Sequence, residues 1–242
     1  MNDMIRSLLY ASEASASGDS DAPAAGEPVS VKRQVYLAVE FVVLFVGLPL
    51  LLYTQRTELG GRVVPILLLL AVGCVGVLLL DPRFDRQRMW NAASVGAQLR
   101  SMLGVFALGV VGMIGIFAWR HPDLLWSFPR EHTRTWLVLM ITYPLLSVYP
   151  QELIFRTFLF HRYDPLFGGV RAKIAASGTA FGIAHIVFAN WAAPLLTGLI
   201  GFWFARTYAR SESTLTVTVE HILWGMLAFT VGLGWYFYSP AI

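Results

Sequence analysis

Long apolar runs alternate along the chain with short polar connections. The runs recur at about residues 36 to 53, 63 to 80, 101 to 119, 135 to 160, 171 to 189, 191 to 209 and 215 to 237, and the charged residues gather between them. Each run is close to the ~20 residues that a helix needs to cross about 30 Å of hydrocarbon, where a helix satisfies its own backbone hydrogen bonds. The pattern predicts an all-α fold, a polytopic membrane helical bundle of about seven transmembrane helices. The fourth run is the longest and contains Pro144 and Pro150. Neither proline can donate to the helical ladder, so a kink or local break is expected just before Gln151. The fifth and sixth runs are joined through Ala189-Asn190-Trp191 with almost no loop. A tight hairpin, or a sixth helix only partly inserted, follows from that. Gly104, Gly109, Gly112 and Gly115 in the third run predict close helix approach.

Residues 1 to 31 break the pattern: they are rich in Ala, Ser, Gly, Asp and Pro and have no apolar periodicity. They are expected to form a disordered polar cytoplasmic tail. The first long apolar run begins only near Tyr36, which argues for a retained anchor rather than a cleaved signal peptide. Residues 32 to 242 are then one transmembrane bundle, with no room for a second globular domain.

Composition agrees with this reading and excludes others. At 242 residues, 56% hydrophobic and 14% charged, with a mean hydropathy of +0.60, the chain is too apolar for a soluble domain of its size. A pI near 9.2 raises nucleic acid as a partner, but the basic residues lie between apolar runs rather than in one patch. The expected partner is the lipid bilayer, with no nucleic acid. Lys and Arg in alternate connections number ten on one side and five on the other. The positive-inside rule therefore places the N-terminus in the cytoplasm, and the expected location is a bacterial inner membrane. Cys74 is the only cysteine, so an intrachain disulfide and a CxxC site are excluded.

A few polar residues interrupt the apolar runs. Glu152 and Arg156, four apart in the fourth run, share a helical face. His185 lies in the fifth run, and Glu220 with His221 in the seventh. Ionisable groups at such depth cost roughly 2.5 to 3.5 kcal/mol each on insertion scales, and they mark protein interiors or water-filled cavities. On the assigned topology Glu152, His185 and His221 lie roughly 13, 21 and 10 Å inside one membrane face at 1.5 Å per residue, near enough to share a layer. A carboxylate and two imidazoles around one pocket are the parts for amide hydrolysis: a base that takes a proton from water and a donor that holds the oxyanion. Read singly, the Glu152–Arg156 pair is also explained by helix packing and each histidine by a hydrogen-bonded core position. Glu40, His121, His132 and His161 read as interfacial or surface residues, and Trp191, Trp203, Trp224 and Trp235 as membrane-interface anchors.

Gln151-Glu152-x-x-x-Arg156, Phe181-x-x-x-His185 and His221-x-x-x-Gly225 resemble, in order and with one motif per helix, the three motifs of the CPBP family. That family comprises CAAX prenyl endopeptidases and bacteriocin-processing or abortive-infection proteins, with Glu-Glu-x-x-x-Arg, Phe-x-x-x-His and His-x-x-x-Asn motifs. The resemblance covers about residues 136 to 237 and implies an intramembrane protease core there. It implies Glu152 as base, His185 as its partner on the water, His221 as oxyanion donor and Arg156 as an orienting group. Two positions depart: Gln151 stands where the family has its first Glu, and Gly225 where the third motif often has Asn. Glu220 is an extra carboxylate that could substitute for the missing one. Glu152, His185 and His221 would also suit a catalytic zinc with water in its fourth position. Against zinc, the chain has no His-Glu-x-x-His, and the resemblance favours a metal-independent glutamate mechanism. The expected function is intramembrane endopeptidase action on a membrane-embedded or lipidated protein or peptide. The alternatives are a catalytically inactive protease-like scaffold and a proton-coupled transporter using Glu152, His185 and Glu220.

Overall fold

A computed structural model of the protein describes residues 30–234. The expected tail therefore lies outside the described residues except at Ser30 and Val31, and Val31 is already helical; Trp235 also lies outside them. Of the segment up to Tyr36, only residues 30–36 are described, and from Leu37 onward the chain forms one unit. No β-strand occurs among the described residues.

Among the described residues seven long helices follow one another: α1 (Val31–Thr54), α2 (Arg56–Leu80), α3 (Ala93–Arg120), α4 (Thr133–Arg162), α5 (Val170–Ala184), α6 (Ala192–Ser211) and α7 (Thr214–Val231). Five of them, α1 to α4 and α7, are long and apolar enough to cross a bilayer. The other two correspond to the expected fifth and sixth runs. At 15 residues α5 is about 22 Å long, short of the hydrocarbon thickness, and α6 carries Arg206 and Arg210 near its end. A single 3₁₀ turn, His185–Phe188, and the left-handed Ala189 reverse the chain between them, so the tight hairpin predicted from the short connection is present. A Cβ added at Gly182 would lie 2.9 Å from the carbonyl of Pro194 and 3.0 Å from Cα of Gly198. The two backbones touch, which only glycine permits at this crossing.

α4 runs through the middle of the bundle. Leu153 to Phe160 are all buried, as expected of a helix packed on every side. Edge-on aromatic pairs tie α4 to its neighbours: Phe155 meets Phe45 of α1 and Phe181 of α5 at centroid distances of 5.6 and 5.3 Å. Such pairs contribute about 0.5 to 1.5 kcal/mol beyond area burial. Outward, the same bundle exposes Leu69, Val72, Leu108, Val111, Ile141 and Leu145. A belt of that size is a liability in water and a match for lipid.

The C-terminal end of α4 is fixed from two sides. Arg162 donates to both carboxylate oxygens of Glu40 at 2.9 and 2.8 Å, and the Tyr163 hydroxyl donates to Glu40 Oε1 at 3.0 Å. Nε2 of His161 lies 3.0 Å from Asp81, which also holds Arg83. Glu40 and His161, expected at the interface and surface, instead join α1 and the end of α2 to α4. Among the five glycines of α3, Gly109 alone takes a close partner, the Trp224 ring, whereas the other four meet nothing within 4 Å. Trp224 is thus an internal packing residue and not an interface anchor.

Candidate active site

The prolines of α4 widen the helix without breaking it. Its hydrogen bonding shifts to π-type turns over Pro144–Val148 and Leu153–Phe158, on either side of Tyr149–Glu152. Such widening re-phases side chains and is frequent at functional sites. Gln151 and Glu152, adjacent in sequence, project about 100° apart. Gln151 lines a cavity of about 1180 Å³ inside the bundle, and Glu152 is fully buried behind it.

Glu152 joins two of the motifs. Its Oε2 pairs with Nε of Arg156 at 3.1 Å, without hydrogen-bond alignment, and its Oε1 accepts from Nδ1 of His221 at 2.7 Å. Arg156 is equally buried: Nη2 donates to the carbonyl of Gly201 at 3.3 Å, and the guanidinium carbon lies 4.4 Å from the Phe181 ring centroid. Removing one partner of such a pair strands a buried charge, at about 3 to 5 kcal/mol. Both side chains are held away from the cavity, and the residue Glu152 contacts on its wall is His221.

His221 is held on every side. Phe204 stacks on the ring at 4.7 Å and 29°, Phe181 meets it edge-on at 5.6 Å, and Nε2 lies 3.2 Å from the Tyr143 hydroxyl. A carboxylate only accepts, so Nδ1 carries hydrogen and Nε2 is the nitrogen turned toward Tyr143. His185 ends α5 with Nδ1 2.7 Å from the carbonyl of Phe181 and its ring edge-on to Phe181 at 4.6 Å. The same logic puts hydrogen on Nδ1 and the lone pair of the neutral ring on Nε2. Gln151, His185, His221 and Tyr143 all line the one cavity. Gln151 donates from Nε2 to the Ser147 hydroxyl at 2.7 Å, and its buried Oε1 has no hydrogen-bond partner among the described residues.

The three motifs thus come together, and two of the carboxylates stand back from the cavity. Glu152 does not line it and contacts His221. Glu220 is withdrawn too: Oε1 accepts from the Trp203 indole at 2.8 Å, and Trp203, expected as an interface anchor, lines the cavity. The proposed zinc ligands do not fit that role, because both oxygens of Glu152 are engaged by Arg156 and His221. Among the described residues no group of three His, Cys, Asp or Glu side chains converges on a metal position.

Tyr143 was not legible as a site residue. It precedes Gln151 by eight positions, which on an ideal helix turns it well away, and the π-type turn between them restores it to the cavity. Gly225 was the available signal: a Cβ there would sit 2.6 Å from Cζ of Tyr143.

In this helical membrane bundle, motif residues from separate helices meet beside one cavity, an arrangement consistent with a CPBP family protease. The chain carries a domain, residues 133–227, that matches the family described as type II CAAX prenyl endopeptidase Rce1-like. No curated protein and no solved structure matches the chain.

Proposed function

We propose that the protein hydrolyses a peptide bond of a membrane-associated protein or peptide, by water activated in the cavity between α4, α5 and α7. The observation that carries this reading is the pair of fixed imidazoles, His185 and His221, lining one cavity with Gln151. Oε1 of Gln151 accepts a hydrogen bond from the attacking water, and Nε2 of His185 takes its proton. The water oxygen attacks the carbonyl carbon, and the oxyanion is stabilised from the His221 side of the cavity. The proton on His185 then passes to the leaving amine. Glu152 and Arg156 keep His221 in place and touch neither water nor substrate. The apolar walls suit an acyl, prenyl or apolar peptide segment, so a lipidated C-terminus or the end of a transmembrane helix is the substrate class. The bilayer is a bacterial inner membrane, with the N-terminus of the protein in the cytoplasm.

A second reading rests on Gln151. Gln151 is not a carboxylate, and a scaffold that binds such segments without cleaving them needs none. The two readings separate in cells lacking this chain and complemented with wild type or His185→Ala. Mapping of peptide termini in their membranes is expected to reveal a cleavage present only with wild type. Equal termini in both strains would remove the endopeptidase.

A further inference from the structure

His221 Nε2 does not itself end the polar chain that begins at Arg156. The guanidinium pairs with Glu152 at 3.1 Å, Glu152 accepts from His221 Nδ1 at 2.7 Å, and His221 Nε2 meets the Tyr143 hydroxyl at 3.2 Å. Each member is oriented by the one behind it, and only the last two line the cavity. Gly225 faces the same wall one helical turn beyond His221. The Tyr143 ring occupies the space that any larger residue at 225 would fill, since a Cβ there would lie 2.5 Å from Cε1 and 2.6 Å from Cζ. The Phe229 ring closes the other side of Tyr143, edge-on at 5.1 Å.

We infer that Tyr143 is a catalytic residue of this site: its phenolic O–H is the donor that meets the oxyanion, and glycine at 225 exists to admit it. The contact with His221 Nε2 fixes the hydroxyl on the cavity wall, and the phenol hydrogen turns to the carbonyl oxygen as charge grows there. A donor held in place in this way needs no reorganisation at the moment of reaction. No proton leaves Tyr143 during the step; the hydrogen bond shortens as charge grows on the carbonyl oxygen and relaxes when the amine departs.

This inference rests on the endopeptidase reading, and the test separates them. Cells lacking the chain are complemented with wild type, Tyr143→Phe, Gly225→Ala or the Tyr143→Phe/Gly225→Ala double variant, and the rate at which cleaved termini appear in membranes is followed after induction. Tyr143→Phe keeps the ring and the packing and is expected to slow the rate on the order of 10²- to 10³-fold at equal protein level, the usual loss for one oxyanion donor. Gly225→Ala is expected to slow it comparably, and the double variant to be no slower than either, because both lose the same hydroxyl. Cleavage by Tyr143→Phe within about twofold of wild type overturns the assignment and leaves the endopeptidase intact. Additive losses in the double variant overturn the link between Gly225 and the hydroxyl. An absence of cleaved termini with wild type overturns both readings at once.

Discussion

His221 Nδ1 lies 2.7 Å from Glu152 Oε1, and this contact decides which residue of the pair can meet a substrate. Glu152 has no exposed surface and its other oxygen faces Arg156, whereas His221 lines the cavity. In the proposed reaction the carboxylate acts through the imidazole. Glu152→Gln is nearly isosteric and replaces the charged acceptor of His221 with a neutral amide that can also present a donor to Nδ1, so cleavage is expected to fall on the order of 10²-fold or more, by analogy with a hydrogen-bonded orienting acid. The comparison is initial rate at equal protein level. A rate equal to wild type contradicts the positioning role.

Arg156→Met is expected to destabilise the bundle by about 3 to 5 kcal/mol, because it leaves the Glu152 charge buried and unpaired. Arg156→Met/Glu152→Met is expected to recover most of that stability while remaining inactive. Unfolding in a mild detergent measures the first effect and the cleavage assay the second. Recovery of both together would contradict the placement of Glu152 behind His221.

Gln151→Glu sets a carboxylate on the cavity wall beside His185. General-base assistance contributes about 10² to 10⁴ in rate, and the variant is expected to cleave faster than wild type by at least the lower figure. If the wild type is a scaffold, the same substitution is the one that creates turnover. A variant slower than wild type would show that Gln151 acts as an acceptor that a carboxylate cannot replace.

Much of the fold was legible because its signals are local. Among the described residues the seven apolar runs fall on seven helices, five of them long and apolar enough to cross a bilayer, and the short Ala189-Asn190-Trp191 connection became a hairpin. Glu152 reaches His221, and His185 shares a cavity with His221. What escaped was set by packing between distant segments. Glu40 reads as interfacial until Arg162 and Tyr163, more than a hundred residues later, are seen to donate to it. Tyr143 is one of nine tyrosines in the sequence, and only the widened turn of α4 and the missing side chain at 225 bring it to His221. Periodicity could not separate Gln151 from Glu152 either: it says that neighbours face apart, not which of them faces the cavity.

Gly182→Ala tests the hairpin that carries His185. The added methyl meets backbone at 2.9 and 3.0 Å, so no rotamer change relieves it. A loss of about 1 to 3 kcal/mol in detergent unfolding is expected, with lowered cleavage. Gly104→Ala, where the methyl meets nothing within 4 Å, is the control and is expected to leave both unchanged.

Asp81 gives a pH dependence outside the site. The hydrogen bond from the Arg83 side chain holds its carboxyl below the ordinary value of 3.8, with the contact to His161 adding to it. A carboxyl lowered on folding stabilises the fold above its unfolded value, and that contribution is lost as pH falls through the folded value. Asp81→Asn is therefore expected to lower the unfolding temperature by the same small amount at all pH above about 4, and by progressively less below it. At the end of α2, within reach of water, the effect is of surface size, about 1 kcal/mol at most. A difference that grows on acidification would contradict the pairing.

The most direct measurement is hydrolysis by the purified protein in liposomes in ¹⁸O-enriched water, with the membrane polypeptide whose termini depend on His185 in cells. One ¹⁸O atom in the new carboxyl terminus with wild type, and no product with His185→Ala, is the predicted result. Cleavage by His185→Ala at the wild-type rate would contradict the account.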